Sequence, residues 1–294
     1  MVIYTYQEMG KKTTSKSQKN SLKYGKKIDK NSKCIENRSK TPQPAKRGIL
    51  NIGNSCYISS VFQAISHLKI HSSLPSHSKL SHLLNTLATN LEKAACPKQA
   101  ISEIKDLWEH QNAQEDAFEF FMTILPLMQS EKFTYEYLCQ RFCEVCHYTC
   151  EAVAREDCSL MMTVNGKTLQ EQLNGTVEPI DEICGQCGKG FMMLYRNIMK
   201  APSILAVRIM RFAINQKSGK ACKISNKVPL PAQVVVGGKT YELEVIILHK
   251  SKALSHGHYL VYFYQKKILV DDEKVHYGKV LKLDYSYFYI AFYV

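Results

Sequence analysis

Apolar residues recur at helical spacing in three stretches of the first half of the chain. Ile58, Val61, Phe62, Ile65 and Leu68 put one apolar face on a helix over 55–68. Leu80, Leu83, Leu84, Leu87 and Leu91 predict a second, weaker helix over 78–94. Phe118, Phe121, Met122, Leu125 and Met128 predict a third over 114–128. After residue 138 the texture changes. Short β-prone runs at 203–212, 240–248, 258–264, 267–271 and 286–294 are parted by turn signals such as Gly237-Gly238 and Gly257. Helices first and an antiparallel sheet second predict an α+β protein with a cleft between the two parts. No 18 apolar residues stand in a row, and the apolar end Tyr287–Val294 is too short to cross a bilayer, so no membrane span is expected.

Composition changes this picture at one end only. The 294 residues, 45% hydrophobic, suffice for one large domain with a sizeable core. The formal charge is +13, yet residues 1–47 hold 13 Lys/Arg against 3 Asp/Glu, which leaves a net of only +3 for the rest. That opening stretch of Lys, Ser, Thr and Asn has too few large apolar groups to offset ordering entropy, so a disordered basic extension is expected over 1–47. Thr41-Pro42-Gln43-Pro44 reads as an extended linker into a fold that starts near Gly48. An evenly basic domain would have pointed to nucleic acid. A basic tail reads as a solvated arm, or as a nuclear-targeting or anionic-partner arm with Lys26-Lys27 and Lys46-Arg47 among its parts. Eleven cysteines, an odd number without a signal-peptide pattern, favour thiolate chemistry or metal binding inside the cell over a disulfide framework.

The segment Gly48-Ile49-Leu50-Asn51-Ile52-Gly53-Asn54-Ser55-Cys56-Tyr57 delivers a cysteine to the first turn of a predicted helix. Free amides and the positive end of the helix dipole favour a thiolate there. Cys56 is thus a candidate nucleophile, against the commoner fate of a buried structural thiol. Asn51, five residues earlier across a turn, could donate to an oxyanion; an Asn beside Gly is also an ordinary turn former. A cysteine nucleophile needs an imidazole. Of the ten histidines, His258 stands at the start of the aromatic run Tyr259-Leu260-Val261-Tyr262-Phe263, just after Gly257. His256 competes but falls in the preceding loop. Leu269-Val270-Asp271-Asp272 suits a hairpin returning beside His258, with one carboxylate on the His258 Nδ1 proton; an Asp pair at a strand end is otherwise a turn.

Cys143-x-x-Cys146 and Cys184-x-x-Cys187, 38 residues apart, are spaced as the two knuckles of a four-cysteine structural zinc site. Cys143-Glu144-Val145-Cys146-His147 also matches a haem-attachment pattern, but that chemistry needs an exported protein. A nucleic-acid zinc ribbon is disfavoured by the absence of a basic segment between the pairs. Cys139, Cys150 and Cys158 fall in no matching pair and read as ordinary thiols.

Taken in order, these segments resemble one family. Gly48–Gln63 is similar to the cysteine box of the ubiquitin-specific proteases, a type of ubiquitin carboxyl-terminal hydrolase. Gln114-Glu115-Asp116-Ala117-Phe118-Glu119-Phe120 resembles the family's acidic helix motif. Pro202-Ser203-Ile204-Leu205 through Arg211-Phe212 resembles its strand ending in Arg-Phe. Gly257-His258-Tyr259 with Asp271-Asp272 resembles its histidine box, and the two CxxC pairs fall where its zinc-binding fingers lie. The resemblance covers residues 48–294. It implies a papain-like cysteine protease with a helical thumb (about 48–135), zinc-binding β fingers (about 136–200) and a β-sheet palm (about 200–294). It implies Cys56 as nucleophile, His258 as base, Asp271 as its orienter, Asp272 as a helper at the oxyanion, and Asn51 as oxyanion donor. It implies that Asp116 and Tyr259 contact the ubiquitin tail. The implied reaction is hydrolysis after the C-terminal glycine of ubiquitin, with ubiquitinated proteins as substrates and one structural zinc as the only cofactor. The implied enzyme is a monomer of the nucleus or cytoplasm; the Gln-Glu-Asp-Ala variant and basic tail are reminiscent of a nuclear and nucleolar branch. The chain departs from the family at Ser59 (usually Asn), Phe118 (usually His or Gln) and Val270 (usually Phe), lacks a Trp before Asp271, and has a shortened interval from His258 to Asp271. Three other readings remain: a silent ubiquitin-binding module, a protease for another ubiquitin-like modifier, and a zinc-containing nucleic-acid binder.

Overall fold

A computed structural model of the chain describes residues 4–6, 48–88, 94–109, 113–215, 219–251, 256–277 and 284–294. The first element is a short strand, β1 (Tyr4–Tyr6). Tyr-Thr-Tyr is β-prone and lines up in parallel along the open edge of a later strand. The rest of 1–47 lies outside the described residues.

The helical part follows. In α1 (Cys56–Leu68) every residue to Ser66 is buried, because Ser59, Ser60, Ala64 and Ser66 let neighbours approach on the side away from the apolar face. Lys69, left-handed at φ 54°, ends it. Next comes α2 (Lys79–Ala88); the last part of the expected helix lies outside the described residues. The sequence pattern had not shown α3 (Lys98–Glu103), whose Glu103 carboxylate accepts from the Leu80 amide at 2.8 Å and ties it to the start of α2. The helix α4 (Ala117–Ile124) is shorter than expected at both ends. Asp116 caps its start, and Pro126 diverts the chain into a 3-10 turn at Leu125–Leu127.

The middle of the chain forms β2 (Tyr135–Cys143), β3 (Val153–Asp157), β4 (Leu160–Thr163), α5 (Leu169–Leu173), β5 (Thr176–Ile183) and β6 (Phe191–Lys200). An antiparallel sheet runs β3-β2-β6-β5. The remaining elements are β7 (Leu205–Met210), β8 (Phe212–Asn215), β9 (Ala221–Lys223), β10 (Gln233–Val236), β11 (Lys239–Lys250), β12 (His258–Phe263), β13 (Ile268–Asp271), β14 (Lys274–Tyr277) and β15 (Phe288–Tyr293). They build an eight-stranded sheet, β14-β13-β12-β11-β15-β7-β4, with β10 alongside β11. β4 comes from the stretch expected to be all fingers, yet it pairs with β7, and in parallel rather than the expected antiparallel sense. A third sheet runs β1-β8-β9.

The large sheet is covered on both faces, which explains the unbroken apolar run Val245-Ile246-Ile247-Leu248 in β11. Val245 and Ile247 pack with α1, α2 and α4, while Ile246 and Leu248 pack on the opposite side with Tyr241 and Phe288. α1 lies against β12, so the start of the one faces the start of the other. Arg211, fully buried between β7 and β8, donates to the carbonyls of Phe288 (2.9 Å), Tyr285 (2.6 Å), Ile224 (3.2 Å) and Asn226 (2.5 Å). It ties the β7–β8 junction to the start of β15 and to the segments that follow β9 and precede β15.

Candidate active site

The loop before α1 is fastened to the far end of the palm. Ile49 donates to the Asp272 carbonyl at 3.0 Å, and a Cβ on Gly48 would come within 1.8 Å of that carbonyl oxygen, so only glycine fits. Gly53 (φ 108°) and Asn54 (φ 45°) make the left-handed turn that leads into the helix. Asn51 Oδ1 accepts from the Gly53 amide at 3.0 Å and the Ser55 amide at 3.3 Å, while its Nδ2 donates to Asp272 Oδ2 at 2.9 Å. Cys56 is the first residue of α1 and is buried.

His258 opens β12, and Asp271 closes β13. His258 Nε2 lies 2.6 Å from Asp271 Oδ1. The expected Nδ1–carboxylate pairing is therefore reversed. Because the ring stands at the first residue of β12, the hairpin return meets its outer nitrogen, and Nδ1 is the nitrogen left for Cys56. Hydrogen bonds to Asp271 and then to Cys56 outweigh the effect of burial and push the His258 imidazole up to about 10. The Asp271 carboxyl is held below its usual range, first by that same bond. Asp272, left-handed at φ 51° and 8% exposed, has its carboxyl raised by burial against the pull of Asn51. Its Oδ1 is buried with no hydrogen-bond partner among the described residues.

Asp116 and Tyr259 stand behind this group. Asp116 Oδ1 accepts from the amides of Phe118 (2.7 Å) and Glu119 (3.2 Å), and Oδ2 accepts from Arg208 (3.2 Å) and the Tyr289 hydroxyl (2.5 Å). Both oxygens are thus engaged inside the chain. Tyr259 is 3% exposed and stacks on His249 with ring centres 4.5 Å apart. It forms part of the wall rather than the open surface.

In the fingers, the sulfurs of Cys143, Cys146, Cys184 and Cys187 all lie within 4.8 Å of one another. The two knuckles are alike. His147 N donates to Cys143 O at 2.9 Å and Gly188 N to Cys184 O at 2.8 Å, with His147 and Gly188 both left-handed (φ 59° and 63°). Cys143 and Cys187 sulfurs are 3.8 Å apart and Cys146 and Cys184 sulfurs 3.7 Å. A tetrahedral ion with metal–sulfur bonds of about 2.3 Å needs sulfur–sulfur edges of about 3.8 Å, so the set fits zinc. Amides of Lys189 and Gly190 lower the Cys187 thiol, while at Cys146 the Tyr148 amide is outweighed by burial and the three other sulfurs, which raise that thiol; the fit to zinc rests on the sulfur geometry.

The family described as UCH, ubiquitin carboxyl-terminal hydrolase, matches residues 47–293. The chain belongs to the ubiquitin carboxyl-terminal hydrolase family. Ubiquitin carboxyl-terminal hydrolase 26 of Oryza sativa subsp. japonica is 24% identical over 267 residues, 76% of this chain and 25% of that protein. Human ubiquitin carboxyl-terminal hydrolase 35 is 27% identical over 106 residues, 33% of this chain and 10% of that protein. The chain therefore spans a quarter or less of the curated relatives it matches. Among solved structures, Ubp8 in the SAGA DUB module with Sgf11, Sus1 and Sgf73, bound to monoubiquitin, superposes with a TM-score of 0.69. The sequence identity is 18%, covering 88% of this chain and 72% of that one. The fold is thus the papain-like thumb, palm and fingers of this hydrolase family. Among the described residues no helix is long and apolar enough to cross a membrane.

The positions that depart from the family pattern have places in the structure. Ser59 Oγ accepts from Gln63 Nε2 at 3.2 Å, the Phe118 ring lies 4.5 Å beneath the Arg208 guanidinium, and Val270 is buried in the core. Several site neighbours went unread in the sequence. Gln114 Oε1 accepts from the Gly257 amide at 2.9 Å, and Arg208 and Tyr289 hold Asp116. A charged residue inside the apolar run Leu205–Met210 was the available signal for Arg208.

Proposed function

We propose that the chain is a thiol-dependent deubiquitinase that hydrolyses the peptide or isopeptide bond after the C-terminal glycine of ubiquitin. The observation that carries this reading is Cys56 hydrogen-bonded to a His258 imidazole that Asp271 clamps from its other nitrogen, within a ubiquitin carboxyl-terminal hydrolase fold. His258 holds the proton that the sulfur gives up. The Cys56 sulfur attacks the glycine carbonyl, and the carbonyl oxygen takes up negative charge. Asn51 has one Nδ2 hydrogen on Asp272 and a second to offer that oxygen. On this reading Asp272 fixes the rotamer of Asn51. His258 returns the proton to the departing amine, and water then cleaves the acyl-thioester to release ubiquitin.

Cys143, Cys146, Cys184 and Cys187 would hold a zinc ion whose chemistry is structural: a closed four-sulfur shell leaves no position for substrate. Asp116 acts here as a brace for α4 and β7, and Tyr259 as a wall of the channel for the ubiquitin tail. Ubiquitin as partner is supported by the likeness to Ubp8, a protein seen bound to monoubiquitin. Every proposed catalytic group comes from one chain, which supports a working monomer. The excess of Lys and Arg in 1–47 supports an anionic partner for that extension, in the nucleus or cytoplasm.

The test is reaction with a ubiquitin probe carrying a C-terminal thiol-reactive group. A covalent adduct in wild type, absent from Cys56→Ala, is expected. No adduct from folded, zinc-loaded wild type would overturn the reading in favour of a binding module or another modifier.

A further inference from the structure

Lys223 ends β9 with its ammonium turned into the palm and, among the described residues, no carboxylate at ion-pair distance. Its Nζ donates to the carbonyls of His249 (2.7 Å) and Ser251 (3.0 Å) and lies 3.3 Å from His249 Nδ1. The other groups facing it are the Arg211 guanidinium, which repels it, and the Tyr287 ring at 6.0 Å. Desolvating an ammonium with no counter-ion is costly, and an apolar side chain would fill the same space at less expense.

What the lysine does is visible in its neighbours. An ammonium has donors only, so the Nδ1 facing it accepts, and His249 is neutral with its proton on Nε2. Burial first, and the Lys223 charge second, hold that imidazole down to about 3. The Nε2 edge of the ring abuts Gly257: a Cβ there would come within 2.3 Å of His249 Nε2 and 2.6 Å of Ser251 Cβ. The face of the ring stacks on Tyr259 at 19°. Ser251 Oγ donates to the carbonyl of His256, the residue before Gly257. Gly257 is the residue before His258.

We infer that Lys223 is a positioning residue for the hydrolysis: through His249 and Ser251 it sets Gly257, and so the His258 ring, relative to Cys56. This rests on the proposed thiol hydrolase reading. Lys223→Met removes the donors and keeps the volume. On a fluorogenic ubiquitin substrate kcat is expected to fall at least about 10-fold with KM within about twofold, as for misplacement of a catalytic group. The pH dependence of Cys56 alkylation by iodoacetamide, followed by peptide mass spectrometry, should shift with it. Lys223→Arg should recover part of kcat. Gly257→Ala, pressing on the same contact from the other side, should cost less when combined with Lys223→Met than the two separate losses multiplied. Unchanged kcat and alkylation in Lys223→Met, or a change in KM alone, would overturn the assignment. The alkylation arm uses no ubiquitin, so it separates failure of this inference from failure of the deubiquitinase reading. Should Lys223→Met not fold, 15N-histidine spectra of the wild type decide. A neutral His249 with its proton on Nε2 at pH 5 is expected, and a ring protonated there, or carrying its proton on Nδ1, overturns the inference.

Discussion

The chain assembles cysteine chemistry twice, in opposite ways. In the fingers, four sulfurs come from two near-identical turns, each closed by its own backbone bond four residues long. In the cleft, the groups arrive from the two ends of the fold: Asn51 meets Asp272 across 221 residues of chain, and His258 meets Asp271 only because β12 and β13 form a hairpin against α1. A locally built site can be lost without disturbing its surroundings. A site built across the core fails when the packing of α1 on β12 fails. The physical difference is where the ordering entropy is met: within a short turn in the first case, by the whole hydrophobic core in the second.

The contrast can be broken or sharpened by experiment. The largest effect is expected for Cys56→Ala, with kcat/KM down about 10⁴-fold or more and thermal stability near wild type, since the cleft chemistry should be separable from the core. Loss of folding in that variant would make Cys56 structural. Asp271→Asn, which leaves the shape but weakens the clamp on His258, should lower kcat roughly 10²–10⁴-fold. Cys143→Ser with Cys146→Ser should release bound zinc, measured by elemental analysis, and cut reaction with the ubiquitin probe. Iodoacetamide should still alkylate Cys56 at the wild-type rate, because the two sites are built independently. Asp116→Ala removes a helix cap and strands Arg208, and should cost about 2–4 kcal/mol in urea unfolding.

The smallest effect is a pH signature of the His258–Asp271 pair. The folded imidazole, raised to about 10 from 6.5, contributes stability that is fully present below 6.5 and is lost as pH rises through about 10. The Asp271 carboxyl, lowered from 3.8, contributes stability present above 3.8 and lost as pH falls through its lowered value. Melting temperatures of wild type and Asp271→Asn should therefore differ most between these limits and converge on either side. A constant offset across the range would exclude the pair as its source.

Legibility in the sequence followed the same divide. The two CxxC pairs are local, and they could be read directly. So could α1, α2 and α4, whose apolar residues repeat on one face, and β11, β12, β13 and β15, whose β-prone runs are bounded by turn signals. Strands β3 and β5 escaped because their side chains face water on most positions, and Pro179 interrupts β5. The resemblance placed Cys56, His258 and Asp271 together, but spacing alone could not say which imidazole nitrogen meets the carboxylate. That depends on the side from which a hairpin returns. Nor could it show that both oxygens of Asp116 are taken by Phe118, Glu119, Arg208 and Tyr289, partners up to 173 residues away. A half-buried lysine such as Lys223 carries no pattern at all, since its acceptors, on His249 and Ser251, lie at and just beyond the end of another strand.

Gly48 has a mechanical meaning beyond the close contact it allows. By pressing backbone to backbone against Asp272 it acts as a strain relief, like the clamp on a cable where it enters a housing. A pull or a thermal jerk arriving from upstream is taken up by the palm before it can reach the turn that aims Cys56. Cargo of different length or bulk attached ahead of that point would leave the sulfur its alignment.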